Sequence, residues 1–589
     1  MTLLHIAALV TVVLQPVLAT DQTAPTATTL NGTLTGRYPP EFAQDLFLGI
    51  PYAKAPRLQN PAPWNESWEG SRSAEYFGPA CYCLTYPEYM AHVNVTTVSE
   101  ECLNLNIIRP SQVSLMTEAK LPVVVWFYGG AFVSGFGADG SSNTSYIVQA
   151  SVAQGMPSMA VTLNYRLGFL GFPGGAEVEA EGVANLGLKD QRQALRWIQG
   201  NIAAFGGDPE KVTLWGQSAG AASIGQQIMA YGGQSDEKLF LGGIMVSGSV
   251  GVGNTLHPTR ADCVQAYRTI LNATNCLGAD DTLACLREAP LDQLWNASVG
   301  INTVPTYWPM VDGDFIAKPP TLQLLAGEFP RDVSILAGTN NDEGLSSAQA
   351  FGPATETDEE LDQLLRSYFP SAKDETIDKV VQAYPVGTPS PPYSLPMDDQ
   401  FSEAMAVAGL PCGAQYRRIA AIFGDFVQIH GRRVMARKFA ECGMTAYTYR
   451  FDTNPTSIPI VHNAIVPGFA THSAEYTYFF RLPQEYDMLG RNPPVANSSS
   501  HLALSHAIAA KLISYIYTGD PNSFEILSVP TWPKYNVENP SNMILNATEI
   551  PDQLNTHVEA DIWREEGMAL WAEYPLELDL AGSQPDLPQ

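Results

Sequence analysis

The chain has 589 residues, and its 32 Lys and Arg against 60 Asp and Glu give a formal net charge of −28. Nucleic acids and anionic membranes are bound mainly through Lys and Arg, so this charge excludes a basic nucleic-acid-binding protein. Hydrophobic residues make up 45% of the chain and charged residues 16%, which excludes a disordered chain and indicates a large buried core.

The N-terminus has the character of a secretory signal peptide. Residues 1–19 contain an apolar stretch from Ala7 to Leu14 and a small-residue exit at Ala19. We therefore expect a secreted, extracellular protein whose mature chain, residues 20–589, forms one domain, because no repeat or linker divides it. No later window has the roughly 18 uncharged apolar residues of a membrane span, so stable membrane insertion is not expected.

Sequons and cysteines agree with an oxidising, extracellular compartment. Eight cysteines are an even number, which favours structural disulfides there, and their spacing forms no zinc-ligand pattern, so no metal is expected. Candidate glycosylation sites are Asn31, Asn65, Asn94, Asn143, Asn272, Asn296, Asn497 and Asn546.

Short apolar runs rich in β-branched residues recur along the chain, with helical patterns between them. Such runs without polar alternation are typical of strands that are buried on both faces of a parallel sheet. Between two of them, residues 188–205 have apolar side chains at spacings of three, four and seven, which predicts an amphipathic helix. This alternation predicts an α/β fold with a large, mostly parallel central sheet covered by helices. The runs are 121–126, 159–164, 211–215, 241–246, 333–337 and 445–451.

The first of these runs leads into a glycine-rich segment, where Gly129, Gly130 and Ala131 directly follow the predicted strand. Glycine permits close backbone approach, so that main-chain amides can point into a site and bind the negative charge that develops on a carbonyl oxygen. An ordinary glycine-rich turn is the alternative interpretation.

The strongest motif is Gly216-Gln217-Ser218-Ala219-Gly220, which matches Gly-x-Ser-x-Gly between a predicted strand and a predicted helix. A nucleophile elbow holds its serine on a strained strand-to-helix turn, and the flanking glycines avoid collisions with neighbouring backbone. The turn also directs a helix N-terminus, with its unpaired amides, at the reacting carbonyl. We interpret Ser218 as a nucleophile.

A nucleophilic serine needs an imidazole base and a carboxylate that orients the imidazole. In α/β enzymes with such an elbow, the chain order is Ser, then Asp or Glu, then His. Asp342 and Glu343 follow the predicted strand at 333–337, and either could be the acid. His472 lies in a loop after the run at 445–451 and is the candidate base, with His462 as a weaker competitor.

Together these segments closely resemble the type-B carboxylesterase/lipase family, which includes cholinesterases and secreted fungal lipases. The resemblance spans essentially the whole mature chain. Its further segments are FLGIPYAKAP (47–56), SEECLNLNI (99–107), NYRLGFLGF (164–172), MVDGDF (310–315) and GTNNDEG (338–344).

The resemblance implies an α/β-hydrolase fold, a single domain with long insertions, and no metal or organic cofactor. It implies Ser218 as nucleophile, His472 as base and Glu343 as acid, because the Glu of the family's Asp-Glu-Gly takes that role. The remaining residues that it implies are the oxyanion-hole amides of Gly130, Ala131 and Ala219 and the disulfides Cys81–Cys102 and Cys276–Cys285, while Cys83, Cys263, Cys412 and Cys442 lie outside the shared pattern.

Three departures from the family pattern bear on specificity. Ala131 replaces the usual third glycine, and its methyl group is expected to reduce room beside the site. Gln217 stands where cholinesterases carry Glu. The loop between Cys81 and Cys102 encloses 20 residues without a Trp, so choline-ester specificity is not expected. This loop is also shorter than the flap of an interfacially activated lipase, which favours soluble esters.

The sequence therefore predicts a secreted serine carboxylic-ester hydrolase, a carboxylesterase that cleaves an ester substrate through an acyl-enzyme. One alternative is a lipase or sterol esterase that acts on long-chain lipid esters. Another, from a different class, is a non-catalytic adhesion or binding member of the family.

Overall fold

The computed structural model describes residues 24–83, 97–111, 120–251, 253, 255–258, 260–301, 306–385, 405–406, 411–453, 470–482, 498–548, 550–551 and 553–578. Four of the sequence-based predictions lie outside these residues, namely the signal peptide at 1–19, the sequons at Asn94 and Asn497, and the competing base His462.

The strands of the described residues are mostly short, and the longest are those of the central sheet. They are β1 (Thr26–Thr28), β2 (Thr33–Thr35), β3 (Gln44–Pro51), β4 (Ala53–Lys54), β5 (Ala62–Pro63), β6 (Ser71–Ser73), β7 (Asn104–Pro110), β8 (Leu121–Phe127), β9 (Met159–Leu163), β10 (Gly207–Gln217), β11 (Gly242–Val246), β12 (Ser334–Asn340), β13 (Ala446–Phe451), β14 (Ser541–Leu545) and β15 (His557–Ala560).

Ten of these strands form the central sheet in the order β15-β14-β13-β12-β11-β10-β8-β9-β7-β3. All pairs from β14 across to β9 are parallel, and the antiparallel pairs lie at the two edges. The six apolar runs of the sequence coincide with β8 to β13. Strands β8, β9, β11 and β13 are buried along their whole length, as expected where helices cover a parallel sheet. The predicted α/β fold is confirmed.

Helices connect the strands and pack against the sheet. Helix α5 contacts β10 and β11, α14 contacts β12 and β13, and α16 contacts β8. The α-helices are α1 (Ser145–Ala153), α2 (Gly168–Gly171), α3 (Ala176–Glu181), α4 (Leu186–Asn201), α5 (Ala219–Met229), α6 (Ala261–Ala273), α7 (Thr282–Glu288), α8 (Leu291–Val299), α9 (Pro320–Leu325), α10 (Gly344–Phe351), α11 (Asp358–Tyr368), α12 (Asp374–Ala383), α13 (Tyr416–Gly424), α14 (His430–Glu441), α15 (Tyr476–Phe480), α16 (Ser499–Thr518) and α17 (Glu565–Glu573).

Helix α4 differs in detail from the helix that the sequence predicts at 188–205. It starts two residues earlier and ends at Asn201, where a 3₁₀ turn, Ile202–Phe205, continues it. Its polar side chains from Lys189 to Gln193 are also buried, and Asp190 has a charged partner in the interior. Asp190 accepts hydrogen bonds from the guanidinium of Arg166 at 2.7 and 2.8 Å. Burial of a charge is tolerated when it is paired in this way.

The structure contains two disulfide bonds, Cys81–Cys102 and Cys276–Cys285, which are the pairs that the resemblance implies. Among the other cysteines, Cys263 is buried and Cys442 is exposed. The side chains at the described sequons are exposed for Asn65, Asn272 and Asn296 and half-buried for Asn31, Asn143 and Asn546. No helix in the described ranges has the length and apolar character needed to cross a membrane.

Candidate active site

Ser218 lies on a sharp turn between the end of β10 and the start of α5. Its backbone has φ 55° and ψ −123°, a conformation that is strained for a residue with a side chain. The neighbouring glycines make the turn possible. A Cβ on Gly216 would lie 2.6 Å from the carbonyl carbon of Gly220, and a Cβ on Gly220 would collide with the carbonyl oxygen of Phe127. The elbow therefore needs glycine at both positions, because no larger residue fits at either one.

Three side chains from distant parts of the chain meet at this turn. Nε2 of His472 is 2.8 Å from Oγ of Ser218, and Nδ1 of His472 is 2.5 Å from Oε2 of Glu343. Glu343 directly follows the turn after β12, and His472 lies shortly before α15. Asp342, the other candidate acid, does not bind His472; its carboxylate accepts a hydrogen bond from the amide of Ala470 at 3.2 Å.

The environment of His472 favours its charged form. Burial alone lowers the pKa of His472, but the charge and hydrogen bond of Glu343 and the charge of Glu475 outweigh this, so the pKa is raised from its ordinary value. Glu343 is completely buried, while Ser218 and His472 are half-buried. The imidazole therefore has a buried negative charge behind it and the serine hydroxyl in front of it.

Two segments that could supply main-chain amides lie next to the serine. Ala219 is the first residue of α5, so its amide is one of those that a helix leaves without an internal partner. The backbone of Gly130 and Ala131 has positive φ angles of 104° and 54°. This segment passes close to the serine, since a Cβ on Gly129 would lie 3.0 Å from Cβ of Ser218. Within the described residues, the amides of Gly130, Ala131 and Ala219 donate to no protein acceptor. This arrangement suits an anionic oxygen next to Ser218.

The comparisons agree with this geometry. The model of the Carboxylesterase family matches residues 23–563. The chain belongs to the carboxylesterase family. It is 31% identical to Secreted lipase 1 of Botryotinia fuckeliana (strain B05.10), with 84% of each chain covered, and 31% identical to Lipase 4 of Diutina rugosa, with 87% of this chain and 90% of that one covered. Among solved structures, Aspergillus niger EstA superposes with a TM-score of 0.75 at 24% identity, covering 95% of this chain and 99% of that chain.

Two sequence-based predictions are confirmed by these comparisons. The fold is the α/β-hydrolase fold, and the protein is a carboxylic ester hydrolase. Within the described residues, no group of three or more His, Cys, Asp or Glu side chains is arranged to hold a metal ion.

Sequence reasoning missed a buried polar network next to Glu343 of this carboxylesterase. Ser247 and the side-chain amide of Asn340 donate to the two carboxylate oxygens of Glu475. Asn340 also donates its backbone amide to Oε1 of Glu343 at 2.6 Å. Burial raises the pKa of Glu475 to about 7, and the charge of Glu343 adds to this effect.

The network had a partial signal in the sequence. Asn340 lies three residues before Glu343, and Glu475 lies three residues after His472, so both belong to segments that were already of interest. Ser247 directly follows β11, at the same edge of the sheet as Ser218. Polar residues at the carboxyl ends of adjacent parallel strands tend to meet in this way.

Proposed function

We propose that this carboxylesterase is a secreted serine hydrolase in which Ser218, His472 and Glu343 form the catalytic triad. The observation that carries the proposal is the continuous hydrogen-bonded chain from the Ser218 hydroxyl through the imidazole to the Glu343 carboxylate. A serine hydroxyl becomes nucleophilic only when a base accepts its proton, and this chain supplies the base together with the group that orients it.

Acylation begins when Oγ of Ser218 attacks the ester carbonyl carbon and Nε2 of His472 takes the hydroxyl proton. The carbonyl oxygen becomes an oxyanion, and the amides of Gly130, Ala131 and Ala219 donate hydrogen bonds to it. The imidazolium then gives its proton to the leaving alkoxide, so the alcohol departs and the acyl group stays on Ser218.

Deacylation repeats these steps with water. His472 takes a proton from water, the resulting hydroxide adds to the acyl carbon, and the tetrahedral intermediate collapses to release the carboxylic acid. The Ser218 oxygen leaves and regains its proton from His472. Throughout both steps, Glu343 keeps a proton on Nδ1 and stabilises the imidazolium.

The decisive test replaces the nucleophile. We expect Ser218→Ala to reduce turnover of a soluble aryl ester by about 10⁴-fold or more. The exposed Ser523 provides a matched control, and Ser523→Ala should hydrolyse the ester like the wild type. A fluorophosphonate probe should label the wild type and Ser523→Ala but not Ser218→Ala. Undiminished turnover by Ser218→Ala would remove this residue from the mechanism, and failure of the wild type to label would favour a non-catalytic binding protein.

Secretion is part of the proposal. The predicted signal peptide and the similarity to a protein named as a secreted lipase both support it. We expect the mature chain to begin at Thr20, to span residues 20–589 as one domain and to carry glycans on exposed sequons. N-terminal sequencing of the protein from culture medium would test the cleavage site, and intact Met1 on medium protein would contradict it.

A lipase is the second candidate, because the relatives named above are called lipases. The two candidates differ in their response to an interface. A lipase should show a jump in rate as a short-chain triglyceride passes its solubility limit, whereas an esterase should follow one hyperbola through that limit. Measuring initial rate against triglyceride concentration on both sides of the limit separates them.

A further inference from the structure

Gln217 and Ser473 directly adjoin the proposed nucleophile and base, and their side chains bind each other. Nε2 of Gln217 donates a hydrogen bond to Oγ of Ser473 at 2.8 Å, although the two residues are 256 positions apart in the sequence. The Gln217 side chain is only 4% exposed. One partly buried hydrogen bond therefore joins the residue before Ser218 to the residue after His472.

Gln217 also contacts the segment that contributes the oxyanion amides. A Cβ on Gly129 would lie 2.8 Å from Oε1 and 2.7 Å from the carbonyl oxygen of Gln217. The Gln217 side chain thus lies between the end of β10, the Gly129–Ala131 turn and the loop that carries His472. As the last residue of β10, Gln217 therefore lies next to the two other segments from which the proposed machinery is built.

The loop that carries His472 is held differently on its two sides. On the β12 side it is well anchored, because Asp342 donates its amide to the carbonyl of Ala470 at 2.8 Å and Asn340 donates to the carbonyl of Thr471 at 2.8 Å. On the β10 side it has fewer bonds. Within the described residues, two side-chain hydrogen bonds join β10 or Ser218 to residues 470–475, namely Ser218–His472 and Gln217–Ser473.

We propose that Gln217 and Ser473 are positioning residues that hold the imidazole of His472 against Ser218. This inference rests on the proposed triad. A base must lie within hydrogen-bond reach of the proton it takes, and small displacements of reacting groups cost large factors in rate. Because the amide of Gln217 is neutral, it fixes the loop without adding charge, and the negative charges that act on the imidazole remain those of Glu343 and Glu475.

The test is a double-mutant cycle of Gln217→Leu and Ser473→Gly. Leucine has a similar size but no hydrogen-bonding group, and glycine removes the hydroxyl while accepting the backbone φ of 73° at position 473. With a soluble aryl ester, we expect each single variant to lower kcat by about 3- to 10-fold with little change in KM, which is the range for loss of one neutral hydrogen bond. The double variant should be no slower than the slower single variant, because both remove the same bond.

Controls separate positioning from packing. Gln226→Leu is the matched control, because Gln226 is also buried and its Nε2 donates to Thr255 at 3.1 Å, away from the His472 loop. Gln226→Leu should keep kcat within about twofold of the wild type. This should hold even if it lowers the midpoint of thermal unfolding as much as Gln217→Leu does. Active sites are counted with a fluorophosphonate, so that kcat refers to folded enzyme only.

Gln217→Glu provides a second readout, since a carboxylate can accept a hydrogen bond from the Ser473 hydroxyl and keep the link. We expect it to retain more kcat than Gln217→Leu. Its added negative charge should also move the acidic limb of the kcat/KM profile to higher pH, because it stabilises the imidazolium. An unmoved limb would contradict the placement of Gln217 beside the base.

Several outcomes would overturn the inference: additive losses in the double variant, a loss confined to KM, or wild-type kcat in Gln217→Leu. These failures are distinct from failure of the proposed triad. If Ser218→Ala is inactive while Gln217→Leu retains full kcat, the triad stands and only the positioning role falls.

Discussion

Asp342 and Glu343 are consecutive and buried, yet their carboxylates have different partners. Glu343 reaches Nδ1 of His472 at 2.5 Å, whereas Asp342 accepts a hydrogen bond from the amide of Ala470 at 3.2 Å. The backbone of Asp342 also pairs with the His472 loop, since its amide donates to the carbonyl of Ala470. Glu343 thus binds the imidazole of His472, and its neighbour Asp342 anchors the loop that carries His472.

This division of roles predicts unequal effects of two similar substitutions. Glu343→Gln removes the charge that orients and stabilises the imidazolium, so we expect kcat on a soluble aryl ester to fall by about 10³- to 10⁴-fold. Asp342→Asn keeps an oxygen that can accept from Ala470, so its loss should stay below about tenfold. Steady-state kinetics at the optimal pH compare them directly, and a larger loss in Asp342→Asn would reverse the assignment of the acid.

The raised pKa of Asp342 also predicts how the stability of the protein depends on pH. Burial raises its pKa to about 7 in the folded protein, and the nearby charge of Asp452 acts in the same direction. Since the unfolded pKa is near 4, the contribution of Asp342 to the free energy of unfolding is fully present below pH 4 and is lost as pH rises through about 7. The free energy of unfolding falls by at most about 1.4 kcal/mol per pH unit through this effect.

Asparagine does not titrate, so Asp342→Asn should remove this dependence. We expect the difference in free energy of unfolding between the variant and the wild type to shift in favour of the variant between pH 4 and pH 8. Urea unfolding at several pH values measures it, and parallel curves for the two proteins would contradict the buried, protonated state of Asp342.

Glu475 predicts a shift in the pH profile of catalysis. Burial lowers the pKa of His472, and the charge and hydrogen bond of Glu343 raise it. The charge of Glu475 also raises it, to a smaller extent. The proposed mechanism requires the neutral imidazole, so the wild-type kcat/KM should decline as pH falls through a value above the ordinary 6.5 for histidine. Glu475→Gln removes one source of the raised pKa, and we expect the acidic limb to move to lower pH. Glu573→Gln, at an exposed position remote from the triad in sequence, should leave the limb unchanged.

The sheet and the candidate nucleophile could be predicted because their signals are local. The run at 121–126 is β8, Leu121–Phe127, and the run at 445–451 is β13, Ala446–Phe451, since a short apolar run rich in β-branched or aromatic residues suits a strand that is buried on both faces of a covered sheet. Ser218 was recognised from five consecutive residues, two of which have no room for a side chain.

Other parts of the site depend on contacts between distant residues. Ser247 and Glu475 are 228 positions apart, and Gln217 and Ser473 are 256 positions apart, so no local pattern reports either hydrogen bond. Which of Asp342 and Glu343 reaches His472 depends on the hydrogen bonds between the turn after β12 and Ala470. Residue identity alone left it open, because both side chains are carboxylates.

The glycines of the elbow predict a contrast between two Gly→Ala variants. A Cβ on Gly220 would collide with the carbonyl oxygen of Phe127, which is backbone and cannot move away, so Gly220→Ala should abolish activity and lower the midpoint of thermal unfolding. Gly200 lies within α4, and a Cβ there meets only Leu30 at 3.5 Å, an ordinary contact. Gly200→Ala should keep full activity and stabilise the protein by about 0.5–1 kcal/mol. Equal unfolding midpoints for the two variants would contradict the crowding at Gly220.

Ala131 predicts a change in substrate range. Its φ of 54° is a conformation that costs a residue with a Cβ about 1–2 kcal/mol, and Ala131 is one of the three residues whose amides are proposed to form the oxyanion hole. Ala131→Gly removes the methyl group and the strain while keeping the amide donor. We therefore expect a several-fold gain in kcat/KM for esters with bulky acyl or alcohol groups relative to a small acetate ester. A panel of aryl esters of increasing acyl size, assayed on wild type and variant, measures the ratio. A uniform change across the panel would mean that the methyl group does not restrict the site.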